Sequence, residues 1–255
     1  MFSAHEAGKD GRFLLRIEDI DTGRCREPFI NAIYEDMAWL GLNWETPVWR
    51  QSTRMQIYNR ALDQLKALGL LYPCFCSRAD IKREANTSAS APHGPHGEIY
   101  PGTCRTLSTD TAAEKIKAGA PHSWRLDMES ALSFAPRLYW QDRNLGRQTA
   151  TPEIFGDIIL ARRDTPTCYH LAVTLDDAAQ GITCVTRGMD LFPSTHIHRL
   201  LQHLLELPVP EWRHHTLITD SQGQRLAKRD GATALRELRA KGVSAEAIKS
   251  SYPTF

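Results

Sequence analysis

The segment FLLRIEDID crowds Arg16, Glu18, Asp19 and Asp21 into an otherwise apolar run. Strand alternation sets Leu14, Arg16 and Glu18 on one face and Phe13, Leu15 and Ile17 on the other, so a buried strand would deliver Arg16 and Glu18 to an edge or cleft. Packing alone gives no return for desolvating those charges, whereas a polar substrate does. A second group is YPCFC, with Cys74 and Cys76, followed well downstream by EIYPGTC, with Tyr100 and Cys104. A Cys-x-Cys pair can chelate one ion, and a distant third thiolate pins the base of the intervening loop. Zinc suits such a set, and Tyr100, His93, His96 or water could fill the fourth position. Three reduced thiols without metal are the plainer alternative. A third group is GQRLAKRDG, whose Arg225, Lys228 and Arg229 lie on a glycine-flanked loop suited to polyphosphate. Taken alone, that loop reads more readily as a solvated basic turn.

Other polar residues carry less. His196 and His198, like His214 and His215, lack metal-ligand spacing on one helix face and are expected at the surface or in caps. Asp176 and Asp177 could hold a divalent ion, or simply end a strand at a turn. Cys25, Cys168 and Cys184 are isolated and expected to pack.

Positioning these groups falls to alternating strands and helices. After the opening strand, REPFINAIYEDMAWLGLNW places Phe29, Ile33 and Met37 at helical spacing, with Pro28 in the first turn and Gly41 after the last. Ser52 can cap a second helix carrying Met55, Tyr58, Leu62, Leu65 and Leu68 on one side and closed by Gly69. Between Cys74 and about Arg105 the chain turns to Ser, Ala, Pro, Gly and His and reads as an irregular insertion. Strand-like runs resume at HSWRLD, PTCYHLAVTLDD and GITCVTRG. A helix runs from near Ser194 to before Pro208, and HTLITDSQGQRLAKRDG reads as a strand, a turn and a basic loop leading into closing helices. This order predicts an α/β fold with a mostly parallel sheet, whose ligands collect beyond the carboxyl ends of the strands, where Glu18, Asp19 and Arg187 sit.

Composition sets wider bounds. The 255 residues are 42% hydrophobic and 24% charged, which excludes disordered and collagen-like classes. With 31 basic against 30 acidic residues, a polyanionic partner must be held by a local patch rather than by overall attraction. No apolar run is long enough to cross a bilayer and no secretory h-region opens the chain, so a cytoplasmic protein without membrane contact is expected.

Taken in order, these pieces resemble the catalytic core of the glutamyl-tRNA synthetases, and more closely their shortened, queuosine-modifying branch. FLLRIEDID is similar to the family's second-strand signature, YHLAVTLDDAAQGITCVTRGMDL to its substrate-pocket segment and RLAKR to its class I lysine loop. YPCFC with YPGTC favours the queuosine branch, which keeps a zinc-bearing insertion. The resemblance implies a Rossmann-like class I aminoacyl-tRNA synthetase core over 1–73, a zinc insertion over 74–105, the rest of the core and substrate pocket over 106–213, and the lysine loop with short helices over 214–255. It implies that glutamate is activated by ATP, with Mg2+, and passed to queuosine in the anticodon of tRNA(Asp) by a monomer. It further implies that Glu18 holds the substrate ammonium, Tyr169 lines the pocket, Arg187 grips a carboxylate and Lys228 stabilises charge on the phosphates. Cys74, Cys76, Tyr100 and Cys104 are the implied zinc ligands.

There are departures. Arg225 stands where the family has Lys, and Ala227 where it has Ser. The family's first strand and its His-x-Gly-His motif are not seen before the RIED strand, so Met1 reads as an internal residue of a longer protein and the 255-residue form is expected to be poorly soluble and inactive in transfer. A fragment of a glutamyl-tRNA synthetase and a non-catalytic RNA-binding paralogue are the competing readings.

Overall fold

The computed structural model describes residues 11–77, 79–81, 93–95, 97–217, 219 and 234–251, apart from the side chains of His93, Glu98 and Ser251. The chain runs through β1 (Leu14–Ile17), α1 (Glu27–Trp39), β2 (Glu45–Arg50), α2 (Met55–Ala67) and β3 (Leu71–Cys74). A short hairpin follows, β4 (His93–Gly94) and β5 (Gly97–Glu98), then α3 (Thr109–Lys117), β6 (Ser123–Leu126) and α4 (Met128–Ser133). Next come β7 (Tyr139–Asp142), β8 (Gly146–Thr149), β9 (Ile159–Ala161), α5 (Tyr169–Ala179) and β10 (Cys184–Gly188). The order closes with α6 (Ser194–Leu204), β11 (Glu211–His215), α7 (Leu235–Ala240) and α8 (Ala245–Ser251).

Contacts group these elements into two units. One holds Met1–Thr53, Thr186–Asp190 and His214–Phe255, the other Arg54–Val185 and Leu191–Arg213. In the first, β1 and β2 pair in parallel, with Leu14 opposite Glu45 and Ile17 opposite Arg50, and α1 makes the crossover. Pro28 starts α1, and Gly41, at φ +67°, follows its end. The face expected to be buried is rotated: Phe29 and Ile33 are 44% and 43% exposed, while Ile30 is buried. Four-residue spacing fixes the period of a stripe, not which of two adjacent apolar stripes meets the core.

Asp19, not Glu18, is the buried carboxylate of the opening segment, with 1% of its surface exposed. Its oxygens accept from Arg50 Nε at 2.9 Å, from the Ser52 amide at 2.9 Å and from the Ser52 hydroxyl at 2.8 Å. Ser52 is therefore engaged with Asp19 rather than capping α2, whose preceding residue Arg54 makes no side-chain cap. Arg50 also reaches Glu27 at 2.6 Å, so one carboxylate and one guanidinium tie the ends of β1 and β2 to the start of α1.

The second unit holds the main apolar core, built from Leu62 and Leu65 of α2, Leu70, Leu126 of β6, Leu160 of β9, Leu171 of α5 and Leu200 and Leu201 of α6. Strands β3, β6 and β9 form an antiparallel sheet in that order, and another sheet runs β10, β11, β7, β8. Its β11–β7 pair is parallel and its β7–β8 pair antiparallel, so the expected mostly parallel sheet is in fact mixed. The cause is local: the Asp142 carboxylate accepts from the amides of Asn144 at 2.8 Å and Leu145 at 3.0 Å, and Gly146 takes φ +74°, a tight turn that can only return the chain antiparallel.

The run expected as a strand, PTCYHLAVTLDD, is largely helix α5. Cys168 caps it, its sulfur accepting the Leu171 amide at 3.5 Å, and Thr174 bonds back to the His170 carbonyl at 2.7 Å. A helix buried over much of its surface shows little of the polar stripe that would distinguish it from a buried strand. Asp176 consequently ends no strand: it lies inside the helix, fully buried, bonded by Arg54 Nε at 2.7 Å and Tyr58 Oη at 2.8 Å from α2. The histidines expected at the surface are also inside, His196, His198 and His214 being buried. His196 Nδ1 accepts the Thr151 amide at 3.2 Å and His198 Nε2 meets His170 Nδ1 at 3.2 Å, so polar partners remove the penalty that argued for exposure. Of the isolated cysteines only Cys168 is buried, Cys25 and Cys184 being half-buried. Among the described residues, no helix is long and apolar enough to cross a membrane.

Burial alone would raise the Asp19 carboxyl, but the bonds from Ser52 and Arg50 outweigh it and hold it below the ordinary value. A depressed carboxyl contributes stability in full above the unfolded value near 4 and loses it as pH falls through the folded value. Asp19→Asn should therefore cost about 2–3 kcal/mol in urea unfolding at pH 7, with the deficit shrinking below about pH 4. A deficit independent of pH would contradict this account.

Candidate functional site

The cysteine group assembles as its spacing suggests. Cys74 ends β3, Cys76 lies two residues beyond, and Cys104 follows the β4–β5 hairpin, with the three sulfurs within 4.8 Å of one another. Cys76 Sγ is 3.4 Å from Cys104 Sγ and 3.5 Å from Tyr100 Oη. A tetrahedral zinc with bonds of about 2.3 Å to sulfur and 2.0 Å to oxygen requires separations of about 3.8 Å and 3.5 Å, close to the spacing of this donor set, whose chemistry suits zinc. Tyr100 Oη accepts the Cys104 amide at 2.8 Å and Cys104 Sγ accepts the Phe75 amide at 3.4 Å. The alternative ligands, the His93 side chain and His96, lie outside the described residues.

Neighbouring groups hold this arrangement. Arg163 donates to the carbonyls of Phe75 and Cys76 at 2.6 and 2.7 Å, fixing the Cys-x-Cys turn. Arg125 lays its guanidinium over the Tyr100 ring at 3.8 Å and donates to the Asp157 carbonyl at 2.6 Å. The Asp157 carboxylate takes the Tyr72 hydroxyl at 2.6 Å and the Met128 amide at 3.0 Å. The hairpin sits close to the 152–156 turn: a Cβ on Gly94 would come within 2.7 Å of the Ile154 carbonyl, and one on Gly156, at φ +59°, would overlap Ile99.

Burial pushes the Cys76 thiol up to about 12, with neighbouring Cys104 adding to it. Burial also raises Cys104, but hydrogen bonds from Tyr100, the Phe75 amide and Cys76 outweigh it and bring that thiol below its ordinary value.

The glutamate residues implied by the resemblance fall in both units. Glu18, just past β1, is exposed and lies 3.4 Å from Arg16. Arg187 ends β10 in the same unit, its Nε donating to His214 Nε2 at 3.1 Å. That bond helps fix the plane of the guanidinium. Tyr169 opens α5 in the other unit, its ring 5.4 Å from His170 and 5.7 Å from His198. Lys228, Arg225 and Ala227 lie outside the described residues. Sequence reasoning missed His214 and His198 as partners of the pocket residues, because a lone histidine carries no spacing signal. It also missed the anchors Asp157 and Arg163, which lie far from the cysteines in the chain.

The catalytic-domain model for class I tRNA synthetases (E and Q) matches residues 4–251. The chain belongs to this family. Among its relatives, the Glutamyl-Q tRNA(Asp) synthetase of Rhodobacter capsulatus is 45% identical, over 96% of this chain and 90% of that protein. The protein of the same name from Symbiobacterium thermophilum is 39% identical over 96% and 76%. Glutamate--tRNA ligase 2 of Nitrosococcus oceani is 35% identical over 93% of this chain but 51% of its own length. The glutamate-tRNA synthetase structure from Elizabethkingia anophelis superposes with a TM-score of 0.72 at 26% identity, covering 90% of this synthetase chain. The synthetase spans about half the length of that structure, 48%. Class I synthetases use ATP with Mg2+, so the α/β core expected from the sequence comes with the nucleotide chemistry of its family.

The purified synthetase should carry about one zinc per chain by metal analysis. A Cys74→Ala/Cys76→Ala variant should carry less than a tenth of that. Retention should weaken as pH falls, because protons compete for the sulfurs. Unchanged zinc in the double variant would overturn the assignment.

Proposed function

We propose that this synthetase activates glutamate with ATP and transfers it to the queuosine base in the anticodon of tRNA(Asp). The observation that carries the reading is its 45% identity to a Glutamyl-Q tRNA(Asp) synthetase across 90% of that protein. The Cys-x-Cys and Tyr-Cys donor set adds support, since it fits the zinc-bearing insertion of the queuosine branch.

In the first step an oxygen of the glutamate α-carboxylate attacks the α-phosphorus of ATP. The bond to the bridging oxygen breaks, and glutamyl-adenylate and pyrophosphate result. Glu18 offers its carboxylate to the substrate ammonium, Arg187 a guanidinium to a substrate carboxylate, and Tyr169 a wall and a hydroxyl. These charge-assisted bonds are directional, and a guanidinium held in plane by His214 suits a planar carboxylate. Lys228 stabilises the charge that builds on the phosphates, and Mg2+ enters with ATP as part of the substrate. In the second step a hydroxyl of the queuosine cyclopentenediol attacks the acyl carbon and AMP leaves. Zinc held by Cys74, Cys76, Tyr100 and Cys104 would supply a cross-link between the ends of the insertion.

Glutamate-dependent exchange of pyrophosphate into ATP, without RNA, tests the first step. Arg187→Ala should lower kcat/KM by about 100-fold or more, because it leaves a substrate carboxylate unpaired in the cleft, whereas Tyr169→Phe should cost less than about 10-fold. Exchange driven equally by glutamine or aspartate would contradict the pocket assignment. Transfer of labelled glutamate to tRNA(Glu) rather than to queuosine-containing tRNA(Asp) would replace the reading with that of a glutamate–tRNA ligase.

A further inference from the structure

A chain with almost no net charge must hold RNA through a local patch, and the outer face of the β7–β8 hairpin has the composition of one. Burial alternates strictly along it: Leu138, Trp140 and Asp142 are buried, while Arg137, Gln141 and Arg143 are exposed and Tyr139 is half-buried. Trp140 anchors the inner face, its ring 5.5 Å from Trp212 and 5.0 Å from Phe192. On the outer face Gln141 pairs with Arg147 across the hairpin. From there Arg147 reaches diagonally to lay its guanidinium 3.8 Å from the centre of the Tyr139 ring, and Arg137 lies 6.0 Å from the same ring.

These two arginines share one aromatic ring, whereas several others of the unit face carboxylates. Elsewhere in the same unit Arg54 faces Asp176, Arg143 faces Glu211, Arg162 faces Asp164, and Arg105 faces Asp127, Glu129 and Asp157. Among the described residues, neither Arg137 nor Arg147 is paired with a carboxylate. Each is exposed and set against an aromatic ring. A guanidinium over a ring keeps its edge donors available for phosphate while offering a flat face to a base. Guanidinium planes and aromatic rings are the surfaces on which unpaired RNA bases stack.

We infer that the outer face of the β7–β8 hairpin, through Arg137, Tyr139 and Arg147, is a contact surface for the RNA substrate, binding phosphates and stacking an unpaired base. The inference rests on the proposed function for its choice of RNA, and adds where that RNA is held. The same arginines would also discourage association at β8, the edge strand of its sheet, and the experiment separates the two roles.

The test titrates the full chain into a fluorescein-labelled tRNA(Asp) transcript, read by anisotropy between 50 and 200 mM KCl. Arg137→Ala/Arg147→Ala should raise Kd by about tenfold or more and flatten the dependence of log Kd on log salt by between about one and two. Tyr139→Leu should weaken binding by roughly fivefold or more while leaving the salt slope in place. Glutamate-dependent pyrophosphate exchange, which needs no RNA, should be unchanged in all of these variants. Unchanged Kd and salt slope in the double variant would overturn the inference, as would a variant that binds RNA normally but sediments as aggregates, which would assign the arginines to edge protection. Failure of the parent chain to exchange pyrophosphate with glutamate would count against the proposed function and leave the RNA measurements to decide the surface.

Discussion

A carboxylate that water cannot reach must be satisfied by the protein, and the surroundings of Asp157 are organised by that requirement. Its side chain collects the Tyr72 hydroxyl from β3 and the Met128 amide at the start of α4, while its carbonyl takes Arg125 from β6. Each donor would cost about 1–3 kcal/mol if left buried without a partner, so the three elements are held to one geometry. Tyr72 lies two residues before Cys74, and Arg125 covers the ring of Tyr100. The node that settles a buried carboxylate therefore also fixes a sulfur and a phenol of the candidate metal site. Among the described residues, the buried centre of the cysteine cluster is small, Cys74, Tyr100 and Cys104. A rigid base supplied by the core adds to it, and the zinc proposed for these ligands would add a cross-link.

A similar division appears in the opening segment. Adjacent carboxylates, Glu18 and Asp19, point to opposite sides of an extended backbone, so burying one exposes the other. Asp19 is enclosed by Arg50 and Ser52, and this fixes the backbone on which Glu18 stands. The concentration of charge in RIEDID is then no conflict between packing and function. One acid holds the strand end, and its neighbour stands exposed beside Arg16.

Much of this was legible in the sequence, and the limits have physical causes. Pro28, Gly41 and Gly69 marked helix ends correctly because their backbone preferences act locally. Cys74, Cys76 and Cys104 announced their cluster because few other functions need thiols so spaced. Helix α5 was read as strand because Val173 and Thr174 sit in a run buried on nearly every side, where periodicity disappears. His196, His198 and His214 were assigned to the surface because their partners, Thr151, His170 and Arg187, come from distant parts of the chain. Asp157 and Arg163 went unremarked for the same reason: a residue that acts by satisfying others has no motif of its own.

The β7–β8 hairpin shows how one alternating pattern can carry two kinds of information. Its inner residues are fixed by packing, since Trp140 must fill the space against Trp212 and Phe192. Its outer residues are under no such demand, and an exposed edge could be protected by lysine or glutamate as well as by arginine. Arginine at both 137 and 147, each set against the same tyrosine, is more than edge protection requires. Placing cations against a ring instead of a carboxylate leaves their charge uncompensated by the protein. In a chain of nearly balanced charge, that uncompensated charge is what a phosphate backbone can find.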